Sequence, residues 1–379
     1  MRNANQIYLD HAATTKPYDE VVSLYTRIES EIYGNSSSIH GLGIEALSYL
    51  NKARESILKS LKLSKGYKVI FTSGATEANN LAIIGYCLKH QNRGKHIITS
   101  NIEHPSVLEC FKYLEKLGFK VTYLKVNKNG VVDPSELEKA MTKETVLVSL
   151  MSTNNEIGTM NDLSKLSQIV HAYPKTVLHS DTTQSVGKDN VDYSLLDMFV
   201  ISGHKIHGLK GSGCLVLKDK IELEQRVFGG GQEDGLRSGT VPVSLCCSLA
   251  KSLQIIQAKI NAESQRISKI HQQFLDKIKN VDGIELNSTS SSSPYILNFS
   301  LTKKKASVVV EALSNVGIYV SSVSACNSKK EASSYVVAAL GKSDVLAHNT
   351  IRLSFGEDNK EEDALVFARE FKKIMENIR

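Results

Sequence analysis

Two ionisable residues stand directly after apolar, strand-like runs: Lys205, closing Ser202-Gly203-His204-Lys205, and Asp181, following Val177 to Ser180. A lysine at a buried strand end is desolvated, which lowers its pKa and frees its amine to attack an aldehyde. By itself a lysine is more often a solvated surface charge, here one of 46 lysines and arginines. A lone carboxylate at position 181 reads best as a turn or helix cap. Together the two supply what pyridoxal phosphate (PLP) requires: an amine for its aldehyde, and an anion that keeps the pyridine nitrogen protonated so that the ring can accept a carbanion's electrons.

Two further strand ends add donors. Ser73 to Asn79 is a run of small residues leading into a helix, where free backbone N–H groups and the helix dipole suit a phosphate. The Thr76 hydroxyl, Ser202 and His204 are further donors to the same group. Small residues before a helix are common, so this turn alone is weak evidence. Glu103-His104-Pro105-Ser106 offers an imidazole able to stack on a ring and move protons, although an isolated histidine is more often structural.

The elements that must position these residues are short β-branched or apolar runs at 68–72, 96–99, 120–124, 145–149, 177–180, 198–202 and 213–217, separated by helical patterns. That alternation predicts a doubly wound α/β sheet, with ligands in the crevice at the strand ends. Residues 242–279 read as a long helix, and a serine-rich loop follows at 288–294. Strands near 295–300 and 350–354 and helices near 306–315 and 361–377 read as a smaller α+β domain. The expected division is a large domain at 16–255 and a small domain made of 1–15 and 256–379, which suits a chain of 379 residues.

Composition narrows the class. Hydrophobic content of 41% and charged content of 23% are ordinary for a globular protein. No run reaches the length of a membrane span, and the first residues lack the apolar core of a signal peptide, so a cytoplasmic location is expected. The net charge of +6 is dispersed, without basic runs interleaved with aromatics, so nucleic acid is not an expected partner. The six cysteines form no CxxC pair and show no zinc spacing, so neither disulfide nor metal is expected.

The segments Tyr8 to Thr15, Thr72 to Asn79, Glu103 to Ser106, Asn154 to Thr159, Asp181 with Gln184, Ser202 to Lys205, Gly229 to Thr240 and Ser324 to Cys326 are similar, in that order, to the signatures of the NifS/IscS-type cysteine desulfurases. This resemblance covers residues 7 to about 356. It implies the type I fold of PLP-dependent transferases, with a mostly parallel large domain, and a homodimer that moves the sulfur of L-cysteine onto Cys326 as a persulfide and leaves L-alanine. By position, Lys205 would bind the cofactor covalently, and Ala75, Thr76, Ser202 and His204 would hold its phosphate. Asp181 would pair with the ring nitrogen, Asn155 and Gln184 would sit by the ring hydroxyl, and His104 would stack on the ring and move protons. Thr240 would reach the neighbouring subunit's cofactor, and Arg352 would hold the substrate carboxylate.

The implied sulfur acceptor is an iron–sulfur scaffold or a tRNA-thiolating enzyme. Selenocysteine lyases share the fold and most of the site; the long stretch around Cys326 favours cysteine. Three departures stand out: Val323 where glycine is common, Ser36 in place of a frequent proline, and an end at Arg379 without the longer tail of some relatives.

Overall fold

In the computed structural model, residues 6–63, 66–322 and 333–378 are described. In chain order the elements are β1 (Ile7–Tyr8), α1 (Asp19–Glu31), α2 (Gly41–Ser60), β2 (Tyr67–Thr72), α3 (Ala75–Lys89), β3 (His96–Ser100), α4 (Pro105–Lys116), β4 (Lys120–Leu124), α5 (Pro134–Ala140), β5 (Thr145–Ser149) and α6 (Leu163–His171). They continue with β6 (Val177–Asp181), β7 (Met198–Ser202), β8 (Gly213–Lys218), α7 (Val243–Ile278), β9 (Ile284–Leu286), β10 (Ile296–Leu301), α8 (Ala306–Asn315), β11 (Ile318–Tyr319), β12 (Ser321–Ser322), α9 (Tyr335–Ala339), α10 (Asp344–His348), β13 (Thr350–Ser354) and α11 (Asp363–Asn377). No helix among the described residues is long and apolar enough to cross a membrane.

The seven predicted strands form one sheet in the order β2-β8-β7-β6-β5-β3-β4. β8 runs antiparallel to both neighbours; every other pair is parallel. β2 therefore points the same way as β7, and the carboxyl ends of β2, β3, β5, β6 and β7 share one edge.

The strands read as unbroken apolar runs because both faces are buried. Val69, Phe71, Phe199 and Ile201 pack with α2, α6 and the first half of α7, whereas the alternate residues Ile70, Met198 and Val200 pack with α3 and α4. A second core gathers around β10 and β13, where Phe274 of α7, Phe299 and the stacked pair Phe367 and Phe371 meet. The predicted helix at 242–279 is observed as the single helix α7, which joins the two cores: Val243 to Ile256 lie in the first, Ile267 to Ile278 in the second.

At the start of β8 the chain comes against the turn before α3. A Cβ on Gly213 would stand 2.6 Å from Gly74 Cα and 2.7 Å from Ile201 O, both backbone atoms. Gly213→Ala should therefore cost about 1–3 kcal/mol through overpacking, read as a lower thermal midpoint. Gly41→Ala, whose Cβ would meet nothing within 4 Å, should leave the midpoint unchanged. Equal midpoints for the two variants would contradict this packing.

Candidate functional site

A cavity of about 650 Å³ opens at the shared carboxyl edge of the sheet. Ten of the residues singled out in the sequence line it: Ala75, Thr76, His104, Asn155, Asp181, Gln184, Ser202, His204, Lys205 and Arg352. Thr240 is exposed and is not among the lining residues. Cys326 and Val323 lie outside the described residues.

Parallel pairing of β6 and β7 sets Asp181 opposite Val200. The chain runs two residues further to Ser202, then through the 3₁₀ turn Gly203–Lys205, so carboxylate and amine face one crevice from adjacent strand ends. Lys205 Nζ donates to the carbonyls of Ala12 (2.6 Å) and Ala13 (2.7 Å). Its amine is thereby held over the cavity by the N-terminal segment. Asp181 Oδ1 accepts from Thr183 N at 3.0 Å, and Oδ2 accepts from Asn79 Nδ2 at 2.9 Å.

Asn79 carries a second consequence. Its Nδ2 also donates to Ser106 Oγ at 2.9 Å, which leaves the Ser106 hydroxyl to donate to His104 Nδ1 at 2.8 Å. Ser106 N donates to the same nitrogen at 3.1 Å, in the manner of a helix cap. Two donors on Nδ1 put the proton of neutral His104 on Nε2. Burial lowers the pKa of His104; Asp181 opposes that shift and Lys205 adds to it. His204 is held down to about 4 by burial, then by Lys205, Lys210 and Lys188.

The start of α3, Ala75 and Thr76, forms one part of the cavity wall. Gly74 caps it with φ +156°, inside the region that favours glycine, and no side chain caps it. Glu77 folds back to accept from Ser73 N at 2.8 Å and pairs with Arg237 at 2.8 Å. Burial raises the Glu77 carboxyl, but hydrogen bonds from Arg237 and Ser73 outweigh it, so its pKa lies below the usual carboxylate range. The negative charge of Glu77 at this helix start is thus balanced by Arg237. Ser202 Oγ lies 3.9 Å from where a Gly74 Cβ would stand.

At the opposite wall Arg352 donates from Nη1 to Asn155 O (2.8 Å) and from Nη2 to Asp10 Oδ1 (2.9 Å). Its Nε, Thr183 Oγ1 and His204 Nδ1 are buried and have no partner among the described residues. Buried orphans of this kind are uncommon unless a ligand completes them. An amine and a carboxylate facing one crevice, a helix start offering N–H groups and a guanidinium opposite together fit PLP with an amino acid.

The sequence motifs contain Asp10, Asn79, Glu103 and Ser106 without giving them tasks, and Lys188 lies outside them. The available signal for Asn79 is a polar residue on a helix face otherwise made of Ala75, Ala82, Ile83 and Tyr86. Glu103 is fully buried, accepts from Ser100 Oγ and Met151 N, and so ties β3 to the loop after β5. Burial pushes its pKa up to about 8; its hydrogen bonds oppose that shift, and Asp181 adds to it.

Residues 7–367 match the family described as aminotransferase class-V. The chain is 37% identical over 378 residues, 99% of its own length and 95% of the relative's, to the cysteine desulfurase IscS of Dictyoglomus turgidum. It superposes on a solved NifS-like protein with a TM-score of 0.91 at 33% identity, covering 98% of this chain and all of that one. The structure titled SspA in complex with cysteine is similar at 32% identity and a TM-score of 0.80, over 92% of this chain and 98% of that one.

Two outcomes follow from the geometry. Asn79→Ala removes a donor from Asp181 and from Ser106 and should cost about 1–3 kcal/mol, read by urea unfolding; an unchanged midpoint would contradict the network. Because the folded pKa of Glu103 is raised, its stabilisation is complete below the ordinary value of 4.5 and lost as pH rises through about 8. The thermal midpoint of Glu103→Gln relative to wild type should therefore climb between pH 5 and pH 8.5, whereas a pH-independent difference would contradict the assignment.

Proposed function

The chain belongs to the class-V aminotransferase family and is a PLP-dependent cysteine desulfurase, and we propose that Lys205, Asp181, His104, Arg352 and Cys326 carry its reaction. The observation that carries this reading is the single crevice shared by Lys205 and Asp181 at the ends of two paired parallel strands. When bound, PLP supplies an aldehyde for the substrate amine and a protonated ring that stores the electron pair released at the α-carbon.

Lys205 would hold the cofactor through its amine, and that amine, once free, would take the α-proton of L-cysteine. Asp181 would keep a proton on the ring nitrogen, a task supported by its burial and its two N–H donors. The N–H groups of Ala75 and Thr76, with the side chains of Thr76, Ser202 and His204, would hold the phosphate. His104 would stack on the ring and offer its Nε2–H to the reacting atoms. Gln184 and Asn155 would sit by the ring hydroxyl, and Arg352 would offer its remaining N–H groups to the substrate carboxylate.

Cys326 takes the sulfur. Its thiolate attacks the substrate Sγ; the S–S bond forms as the Cβ–Sγ bond breaks and its electron pair stays with Cβ, and the carbon fragment gains a proton at Cβ and recovers the α-proton from Lys205 to leave as L-alanine. Chain length supports this reach. Ser321 pairs with Arg352 and Ser322 with Ile351, and Cys326 lies four residues beyond Ser322, roughly 14 Å of chain at most. At the other end Ser334 Oγ donates to Glu156 Oε2 at 2.5 Å, and Tyr335 OH donates to Glu103 O at 2.7 Å. Both anchors stand beside the crevice. The five described cysteines are buried and their thiols pushed up by desolvation, Cys247 to about 11 and Cys110 to about 12, so none is a thiolate near neutral pH.

The active unit is a homodimer in which Thr240 serves the partner's site. Support comes from the exposure of Thr240 and of the large apolar side chains Tyr33, Ile39, Ile44 and Phe228. The protein acts in the cytoplasm, with 16–255 as the large domain and 1–15 with 256–379 as the small one. The sulfur passes on to an acceptor protein that serves iron–sulfur cluster assembly or tRNA thiolation.

With L-cysteine as substrate, Cys326→Ala should keep the visible absorbance of bound PLP and lose protein-bound persulfide, measured by thiol-labelling mass spectrometry. Persulfide formation at the wild-type level would contradict the assignment. Lys205→Ala should lose the visible band of the purified protein, and an unaltered band would remove Lys205 from its role.

A further inference from the structure

Lys188 follows Gly187, which has φ +73° and leaves no room for a Cβ against Ile256. The backbone is thereby turned so that the lysine lies inside the protein, only 5% exposed. Its Nζ donates to Gln184 Oε1 at 2.9 Å. Gln184 Nε2 in turn donates to Ala12 O at 3.0 Å, the same carbonyl that accepts from Lys205 Nζ at 2.6 Å. The buried amine of Lys188 and the half-buried amine of Lys205 are thus joined through one amide and one carbonyl.

The ends of this chain fix how the amide is turned. The protonated amine of Lys188 presents only N–H donors to it, and the carbonyl of Ala12 can only accept. Gln184 places Oε1 towards Lys188 and Nε2 towards Ala12; flipping it would set oxygen against oxygen at Ala12 and, with Lys188 protonated, N–H against N–H. Gln184 lines the large cavity, and sharing Ala12 O with Lys205 puts its amide at the Lys205 end rather than the Asp181 end. In PLP the atom next to the aldehyde carbon that can accept a hydrogen bond is the ring's phenolic oxygen. The second N–H of Gln184 Nε2 is the group available to meet it.

We propose that Lys188 is a positioning residue: by holding Gln184 Oε1 it obliges Gln184 to offer a donor, never an acceptor, to the phenolic oxygen beside the cofactor aldehyde. This rests on the PLP reading above. A donor there stabilises the phenolate and lowers the proton affinity of the nitrogen that links Lys205 to the cofactor. Burial pulls the pKa of Lys188 down to about 7; Lys205 and Arg352 add to that shift and Asp189 opposes it. The small cavity that Lys188 shares with Lys205 is also lined by His11, His207, Glu263, Tyr295 and Glu357. The titration must therefore be read by differences between variants rather than from one curve.

The test is the pH at which the visible band of the PLP-loaded protein titrates, measured for wild type, Lys188→Met, Gln184→Leu and the double variant. Each single variant should raise the midpoint by roughly one unit, tenfold in proton affinity. The double variant should rise no further than Gln184→Leu alone, because Lys188 acts through Gln184. Additive shifts would mean that Lys188 acts by its charge, and an unmoved midpoint in Lys188→Met would mean that it does not act on the cofactor; either overturns the proposal. Gln184→Glu keeps Lys188 paired but removes the donor, so it provides a check should Lys188→Met fail to fold. Its midpoint should rise as well, and an unchanged or lower one overturns the proposal. Wild-type protein that takes up no PLP would instead sink the functional reading itself.

Discussion

Parallel pairing of β6 with β7 is the constraint on which the rest of the site depends. It sets a carboxylate and an amine at neighbouring strand ends, and the other parts of the crevice complete that pair. Burying Asp181 would be unfavourable without compensating donors, and Asn79 and Thr183 supply them. Because Asn79 lies on α3 and also donates to Ser106, the same bond that satisfies Asp181 orients the imidazole of His104. One helix therefore presents its N-terminus to the cavity and, one turn later, ties the proposed ring-nitrogen partner Asp181 to the proposed ring-stacking residue His104.

The N-terminal segment is the suture between the two cores. β1 pairs with β11, Asp10 pairs with Arg352 of β13, and the carbonyls of Ala12 and Ala13 receive Lys205. Seven residues of chain, Ile7 to Ala13, thus touch the small sheet, the proposed carboxylate clamp and the proposed Schiff-base lysine. A substrate carboxylate that reaches Arg352 must share it with Asp10, so binding at that wall is coupled to the segment that also holds Lys205. The anchors of Ser334 on Glu156 and Tyr335 on Glu103 bring the chain beyond Cys326 back to the same wall.

Much of this was legible in the sequence. All seven strands of the large sheet were read from apolar runs, because burial on both faces removes polar alternation and leaves contiguous Val, Ile, Leu and Phe. The residues at the strand ends were legible for the same reason: a Lys, Asp or His that interrupts such a run stands where the sheet stops. Less visible were groups whose work depends on distant partners. Asn79 and Ser106 are separated by 27 positions and meet only through packing of α3 on α4. Lys188 looked like one more surface lysine, and its burial follows from the turn at Gly187 rather than from any local pattern. The two-residue strands β1, β11 and β12 carry no period that could have been counted, since their register is set by the sheets they join.

A crystal structure of the PLP-loaded protein tests the central claim most directly. It should show continuous density from Lys205 Nζ to the cofactor's aldehyde carbon, with the pyridine nitrogen within hydrogen-bonding distance of the Asp181 carboxylate. A cofactor joined to another lysine, or a ring nitrogen facing away from Asp181, would contradict the account.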